Sequence, residues 1–207
     1  MGAEPLTPSG GEPPGEVLSL WERAAGAGYV ELAPELRAYF RDLPAGSIGV
    51  GEGVFDRVGT PRRWLWPALA IAGALQIVWP CWEADVPFRV VNRSVEQDRA
   101  AKREFRFRSG ARMMIDRISP GPDGTVVDRL GRGGLLSVRL RPTILDGGLV
   151  LESERVRLLG VPIPFRIGIR EIAQDGRQRV ELEVTAAGIG RVYEYAGVFQ
   201  YRIVAEG

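Results

Sequence analysis

The sequence predicts an α+β fold: a curved or closed, barrel-like antiparallel sheet of about nine strands, with helices near the N-terminus and one buried apolar helix. Three observations carry it. From Val86 onward, short segments alternate apolar and polar residues and are separated by turn residues. Helical spacing is confined to the part before that point. Between the two lies WLWPALAIAGALQIVWPCW, Trp64 to Trp82, a run of 19 uncharged residues holding four of the chain's five tryptophans.

Met1 to Gly15 combines Pro5, Pro8, Pro13 and Pro14 with glycines and has almost nothing apolar to bury, which predicts a disordered tail over 1–15 and a single ligand-pocket domain over 16–207. Val17, Leu18, Trp21 and Ala25 then fall at helical spacing within Glu16–Ala25, and Gly26 to Gly28 ends that helix. A second helix is expected in LAPELRAYFRDL. Pro34 suits its first turn, and Leu36, Tyr39 and Phe40 share a core-facing side. Ser47 to Val58 switches to a period of two, with Ile48, Val50, Val54 and Val58 on one side and Gly49, Gly51 and Gly53 on the other. Glycines on one strand face let another group approach closely. GVGEGV has neither the spacing nor the βαβ setting of a dinucleotide fingerprint.

The Trp64–Trp82 run passes a length test for a membrane helix, but Pro67 and Pro80 bound it. About 12 helical residues rise roughly 18 Å, well short of the ~30 Å bilayer core. A helix apolar all round that cannot span is expected to be buried on every side in a globular protein. Downstream, Arg103, Phe105 and Phe107 face one way and Lys102, Glu104, Arg106 and Arg108 the other; Met113 and Ile115 alternate with Met114 and Asp116. DGG at Asp146–Gly148 and QDG at Gln174–Gly176 mark hairpin turns. Tyr193, Tyr195, Phe199, Tyr201 and Ile203 share one face of the last strand.

Composition excludes much chemistry. With no histidine, Ser-His-Asp, Cys-His and imidazole–zinc sites are unavailable. The lone Cys81 sits in the apolar run and reads as an inert core residue; Lys102, the only lysine, lies in a polar run. Neither a metal nor a cofactor is expected. A net charge of +1 gives no field for nucleic acid or an anionic membrane surface, and MGAEPLTPSGGEPPG has neither the basic nor the apolar region of a secretory signal, so a cytoplasmic location is the expectation. Glu152, Glu154 and Glu194 read as outer-face charges, and Glu171 beside Arg170 as a surface ion pair. An exposed edge of such a sheet could pair with a second copy as a homodimer.

REFRF at Arg103–Phe107, GGLVLESERVRLLGVPIP at Gly147–Pro164, the REI…DG hairpin from Arg170 and YEYAGVF at Tyr193–Phe199 resemble segments of the domain of unknown function 4166. The resemblance covers roughly Leu32 to Val204 and implies a fold. Its motifs are strands and turns, and it supplies no catalytic residue. The arginine-rich, lysine-poor, Gly/Ala-rich composition is also similar to that of high-GC bacteria, whose macrolide pathways include stand-alone pericyclases.

The expected function is therefore binding of an apolar small molecule, with cofactor-independent cyclisation or isomerisation by confinement, or else carriage or sensing of a lipid-like ligand. Tyr195 and Gln76 are the candidates for polarising a substrate carbonyl. Trp64, Trp66, Phe105, Phe107, Met113, Met114, Tyr193, Phe199 and Tyr201 are the candidate lining residues.

Overall fold

The computed structural model describes residues 18–207, so the expected tail over 1–15, together with Glu16 and Val17 of the first predicted helix, lies outside the described residues. In chain order the elements are α1 (Leu20–Ala25), α2 (Pro34–Phe40), β1 (Ser47–Gly59), α3 (Trp66–Ala74), β2 (Trp82–Glu83), β3 (Val86–Val95), β4 (Asp98–Phe107), β5 (Gly110–Pro120), β6 (Val126–Leu130), β7 (Leu136–Leu145), β8 (Gly148–Leu158), β9 (Val161–Pro162), β10 (Phe165–Gln174), β11 (Arg177–Ala186) and β12 (Gly190–Ala205).

The sheet has twelve strands, and all but the two-residue β2 and β9 form a closed antiparallel barrel. Neighbours run β10-β11-β12-β1-β3-β4-β5-β6-β7-β8, and β8 returns to β10 from Gly168↔Glu152 to Glu171↔Leu149. The segments counted from Val86 onward are β3–β8 and β10–β12; the strand that completes the barrel is β1, which joins β12 to β3. Closure removes the open edge on which the homodimer expectation rested.

β1 can occupy this position because Gly49 and Gly51 lie under the Tyr201 and Phe199 rings and Gly53 lies against the backbone of β12. Its register with β12 runs Gly49↔Ile203, Gly51↔Tyr201 and Gly53↔Phe199. A Cβ on Gly51 would stand 2.8 Å from the Phe199 ring and 2.6 Å from Val90 Cγ1. Gly51→Ala is accordingly expected to cost about 1–3 kcal/mol in urea denaturation through overpacking; an unchanged midpoint would show that the rings move aside freely. The predicted shared face of Val54 and Val58 is corrected: Val54 is 42% exposed and Val58 is fully buried. A bulge between Phe55 and Arg57 adds one residue and inverts the alternation beyond it.

One end of the barrel is plugged. Ser19 caps α1 reciprocally with Glu22, and Gly26 at φ 58 ends the helix after six residues. Trp21 packs edge-on against Phe40, and Tyr39 against Phe199 and Tyr201, which seats α2 on the barrel. The buried Arg99 guanidinium donates to the carbonyls of Tyr39 (2.7 Å) and Arg41, tying the C-terminal end of α2 to β4.

The other end carries α3, and here the expectation of a helix buried on every side is overturned. No residue of α3 is fully buried, and Ile71 is 68% exposed. The helix stops at Ala74 rather than Val78 because Gln76, at φ 60, turns the chain: Ile77 N–H donates to Ala72 O and Gln76 N–H to Gly73 O, both 3.0 Å. The chain then re-enters the core through Ile77 and Trp79. The barrel interior is already occupied by Phe55, Phe88, Phe105 and Tyr195, so a helix has room only across its end.

Candidate functional site

The barrel interior holds a cavity of about 380 Å³ with predominantly apolar walls. That lies within the range of small-molecule pockets, roughly 300–1,000 Å³. Inward residues of the barrel strands line its sides, Trp21 and Tyr39 its plugged end, and Leu65, Leu69 and Ala72 its α3 end. Spacings of four and three put those last residues on one helical face, so one side of α3 roofs the cavity and the other meets solvent.

Of the predicted lining residues, Phe105, Met114, Tyr193 and Phe199 are in the cavity wall, and so is Tyr195, the candidate for polarising a carbonyl. Phe107 is buried on the same strand face but lies beyond the cavity, against Trp79 at 5.9 Å. Tyr201 packs on Tyr39 at 4.8 Å and its hydroxyl accepts from Asn92 Nδ2 at 3.2 Å, outside the cavity wall. Met113 is on the opposite strand face, because Met114 is the residue paired with inward-facing Arg103. Trp64 is 61% exposed, and Trp66 spends its indole N–H on Thr60 O at 3.4 Å; neither lines the cavity. Gln76 is the helix-ending residue described above and is absent from the wall.

A polar cluster set into this apolar wall was not singled out from sequence. Arg103 of β4 projects inward and is ion-paired with Asp116 of β5, whose side chain has no exposed surface. Asp128 of β6 is buried beside them. Glu171 of β10 also points inward, where its Oε2 accepts from Gln178 Nε2 of β11. The ion pair between Glu171 and Arg170 was geometrically excluded, since successive strand residues face opposite ways. Asp116 Oδ2, Asp128 Oδ1 and Gln178 Oε1 have no hydrogen-bond partner among the described residues, and Asp128 and Glu171 both reach the cavity. The parity signal was available: Arg103 shares a face with Phe105 and Phe107, and Glu171 with Ile167 and Ile169. Glu154 and Glu194 are on the outer face as expected, paired with Arg141 and with Arg57 and Arg191.

Burial sets the protonation chemistry. It pushes the Glu171 carboxyl up to about 7, offset only in part by the Gln178 amide and the Arg103 charge. Asp128 is also raised by burial, against the pull of Arg103 and Arg129. Burial opposes the Arg103 charge, but Tyr39, Tyr195 and Asp128 outweigh it, so the guanidinium stays protonated. Tyr195 is raised by burial and stays a neutral hydroxyl. Burial also pushes the Cys81 thiol up to about 11; it donates to Val58 O at 3.6 Å, the contact of an inert core cysteine. Among the described residues no three acidic or thiol side chains converge as metal ligands would. The cavity wall thus offers a fixed cation, a neutral phenol, and a carboxyl poised between acid and base near neutral pH.

Fold and interior together define a closed ten-stranded antiparallel barrel around an apolar cavity with a buried acid–arginine cluster. The chain belongs to the family described as Domain of unknown function (DUF4166), whose model matches residues 32–199. That span runs from the approach to α2 into β12 and contains every residue of the cluster. No curated protein matches the chain.

Proposed function

We propose that this chain takes an apolar small molecule carrying a carbonyl or hydroxyl group into the barrel and converts it, without a cofactor, to a cyclised or otherwise rearranged isomer, in the manner of a pericyclase of polyketide biosynthesis. The observation that carries the reading is the placement of Glu171, Asp128, Arg103 and Tyr195 on the wall of an otherwise apolar cavity. A bare carrier of hydrocarbon has no use for buried charges, which cost several kcal/mol each to desolvate. The apolar wall would fold a flexible substrate into a reactive shape. Protonated Glu171 or the Tyr195 hydroxyl would donate to a substrate carbonyl, and Asp128 Oδ1 would accept from a substrate hydroxyl.

Native mass spectrometry of the purified chain should show a copurifying apolar compound, and incubation with linear or macrocyclic polyketide precursors should yield an isomer of equal mass. Tyr195→Phe is expected to lower turnover by roughly 10²-fold or more, the scale of one acid or oxyanion donor, while precursor binding stays within about threefold. Val180→Trp, which fills the cavity, should abolish binding. Ligand returned unchanged by the wild type would make the chain a carrier or sensor of a lipid-like molecule.

A further inference from the structure

The charges of the barrel are segregated along its axis. The plugged end presents exposed Glu35, Asp42, Glu96, Asp123, Asp146 and Asp175. Of the exposed arginines there, Arg23 is pinned to the carbonyl of Leu18 (2.7 Å) and Arg37 to those of Val30 (2.8 Å) and Leu32 (2.9 Å), which leaves Arg41 and Arg177 against the six acids. The α3 end is the reverse. Arg62, Arg63, Arg108, Arg112, Arg132 and Arg157 are all exposed there, and none is in an ion pair among the described residues. Of the acids at this end, Glu104, Glu183 and Glu194 are ion-paired with Arg106, Arg191 and Arg57, which leaves Glu83 and Asp85 to oppose the six arginines. The net charge of +1 therefore conceals a dipolar molecule, which corrects the expectation that no field exists for an anionic surface.

At the same end large apolar side chains stand out into solvent: Trp64 is 61% exposed, Ile71 68%, Leu159 69%, Val161 63% and Ile189 39%. They come from α3 and the turn before it, from β9 and the β8–β9 connection, and from the β11–β12 connection, all of which border the cavity, since Leu65, Leu69, Leu158 and Ile189 line it. Exposed apolar tips within a basic collar match a bilayer interface, where aliphatic and indole groups enter the headgroup–acyl boundary and arginines bind anionic headgroups.

We infer that the α3 end docks on an anionic lipid bilayer, with Ile71, Leu159, Val161 and Trp64 inserted and the arginine collar on the headgroups. Docking stands on this surface alone; one consequence, that an apolar ligand passes between bilayer and cavity without crossing water, rests on the apolar-ligand reading proposed above. No helix of the described residues is long and apolar enough to cross a membrane.

Full-length chain is incubated with vesicles of phosphatidylcholine alone or with about a third phosphatidylserine, and partition is read by sedimentation and by quenching of tryptophan with brominated acyl chains. The expected result is at least roughly tenfold stronger binding to the anionic vesicles, abolished in about 0.5 M salt as screening shortens to a few Å. Arg132→Glu with Arg157→Glu should lower binding roughly tenfold or more, and Ile71→Ser with Val161→Ser likewise, with thermal midpoints unchanged. Trp64→Phe should remove much of the bromolipid quenching. Equal partition to neutral and anionic vesicles, or arginine variants that bind as wild type, would overturn the docking. Val180→Trp, which fills the cavity, should bind vesicles normally, so a failure of docking and a failure of the cavity reading are told apart.

Discussion

Arg103→Met is expected to destabilise the barrel by about 3–5 kcal/mol, the usual cost of removing one partner of a buried ion pair. Methionine fills much of the same volume, so the loss is electrostatic rather than a cavity effect. Without the guanidinium, the Asp116 charge loses its counterion and Asp128 loses the group that most strongly opposes its upward shift. For a chain of this size the thermal midpoint should fall roughly 6–20 °C. The pH dependence separates this from simple mispacking. An Asp128 carboxyl raised further in the folded state binds more protons folded than unfolded, so the variant loses stability as pH rises from about 4 upward. Its deficit should therefore be smallest in mild acid and largest above neutrality, and adding Asp116→Asn and Asp128→Asn should recover much of it. Urea denaturation from pH 5 to pH 8 is the measurement. A deficit below about 1 kcal/mol, or one constant across that range, would count against a buried ion pair.

What was legible in the sequence was local. Asp146–Gly147 and Asp175–Gly176 form two-residue hairpin turns with positive φ at both positions, so strand boundaries could be read from turn chemistry. Alternation then sorted Phe105, Tyr193, Tyr195 and Phe199 onto the inner face. The failures were non-local. Which of Met113 and Met114 points inward follows from pairing with Arg103 across β4 and β5, and the burial of Val58 from the bulge beyond Phe55. α3 reads as a buried helix because its own sequence has no polar face; only the filled interior and the turn at Gln76 place it across the end. Arg103 and Glu171 show inward parity in the sequence, but their value as a cluster depends on β4, β5, β6, β10 and β11 converging through closure. Charge summed to nearly zero over the chain for the same reason: its separation exists only along the barrel axis.

Glu171→Gln is expected to raise stability at neutral and alkaline pH while removing activity. The carboxyl is pushed up to about 7 from an ordinary 4.5. Between those values the folded state holds a proton that the unfolded chain has released, so Glu171 makes stability fall as pH rises, the loss completing above the folded value. The displacement corresponds to roughly 3 kcal/mol once the group is ionised in both states. Glutamine keeps the shape, and its carbonyl can still accept from Gln178 Nε2, so the variant lacks only the charge. Wild type and variant should converge toward pH 4–5 and diverge to roughly 3 kcal/mol by pH 8, with the variant the more stable. If Glu171 serves only to hold β10 against β11, the variant turns over substrate as well as wild type does. If its proton is used, isomer formation drops by roughly 10²-fold or more, and the wild-type rate falls as pH rises through about 7, in step with loss of the acid form. A stabilising substitution that silences the protein would mark the buried acid as kept for chemistry, at the expense of stability. Parallel urea titrations and rate–pH profiles of the two proteins decide between these outcomes.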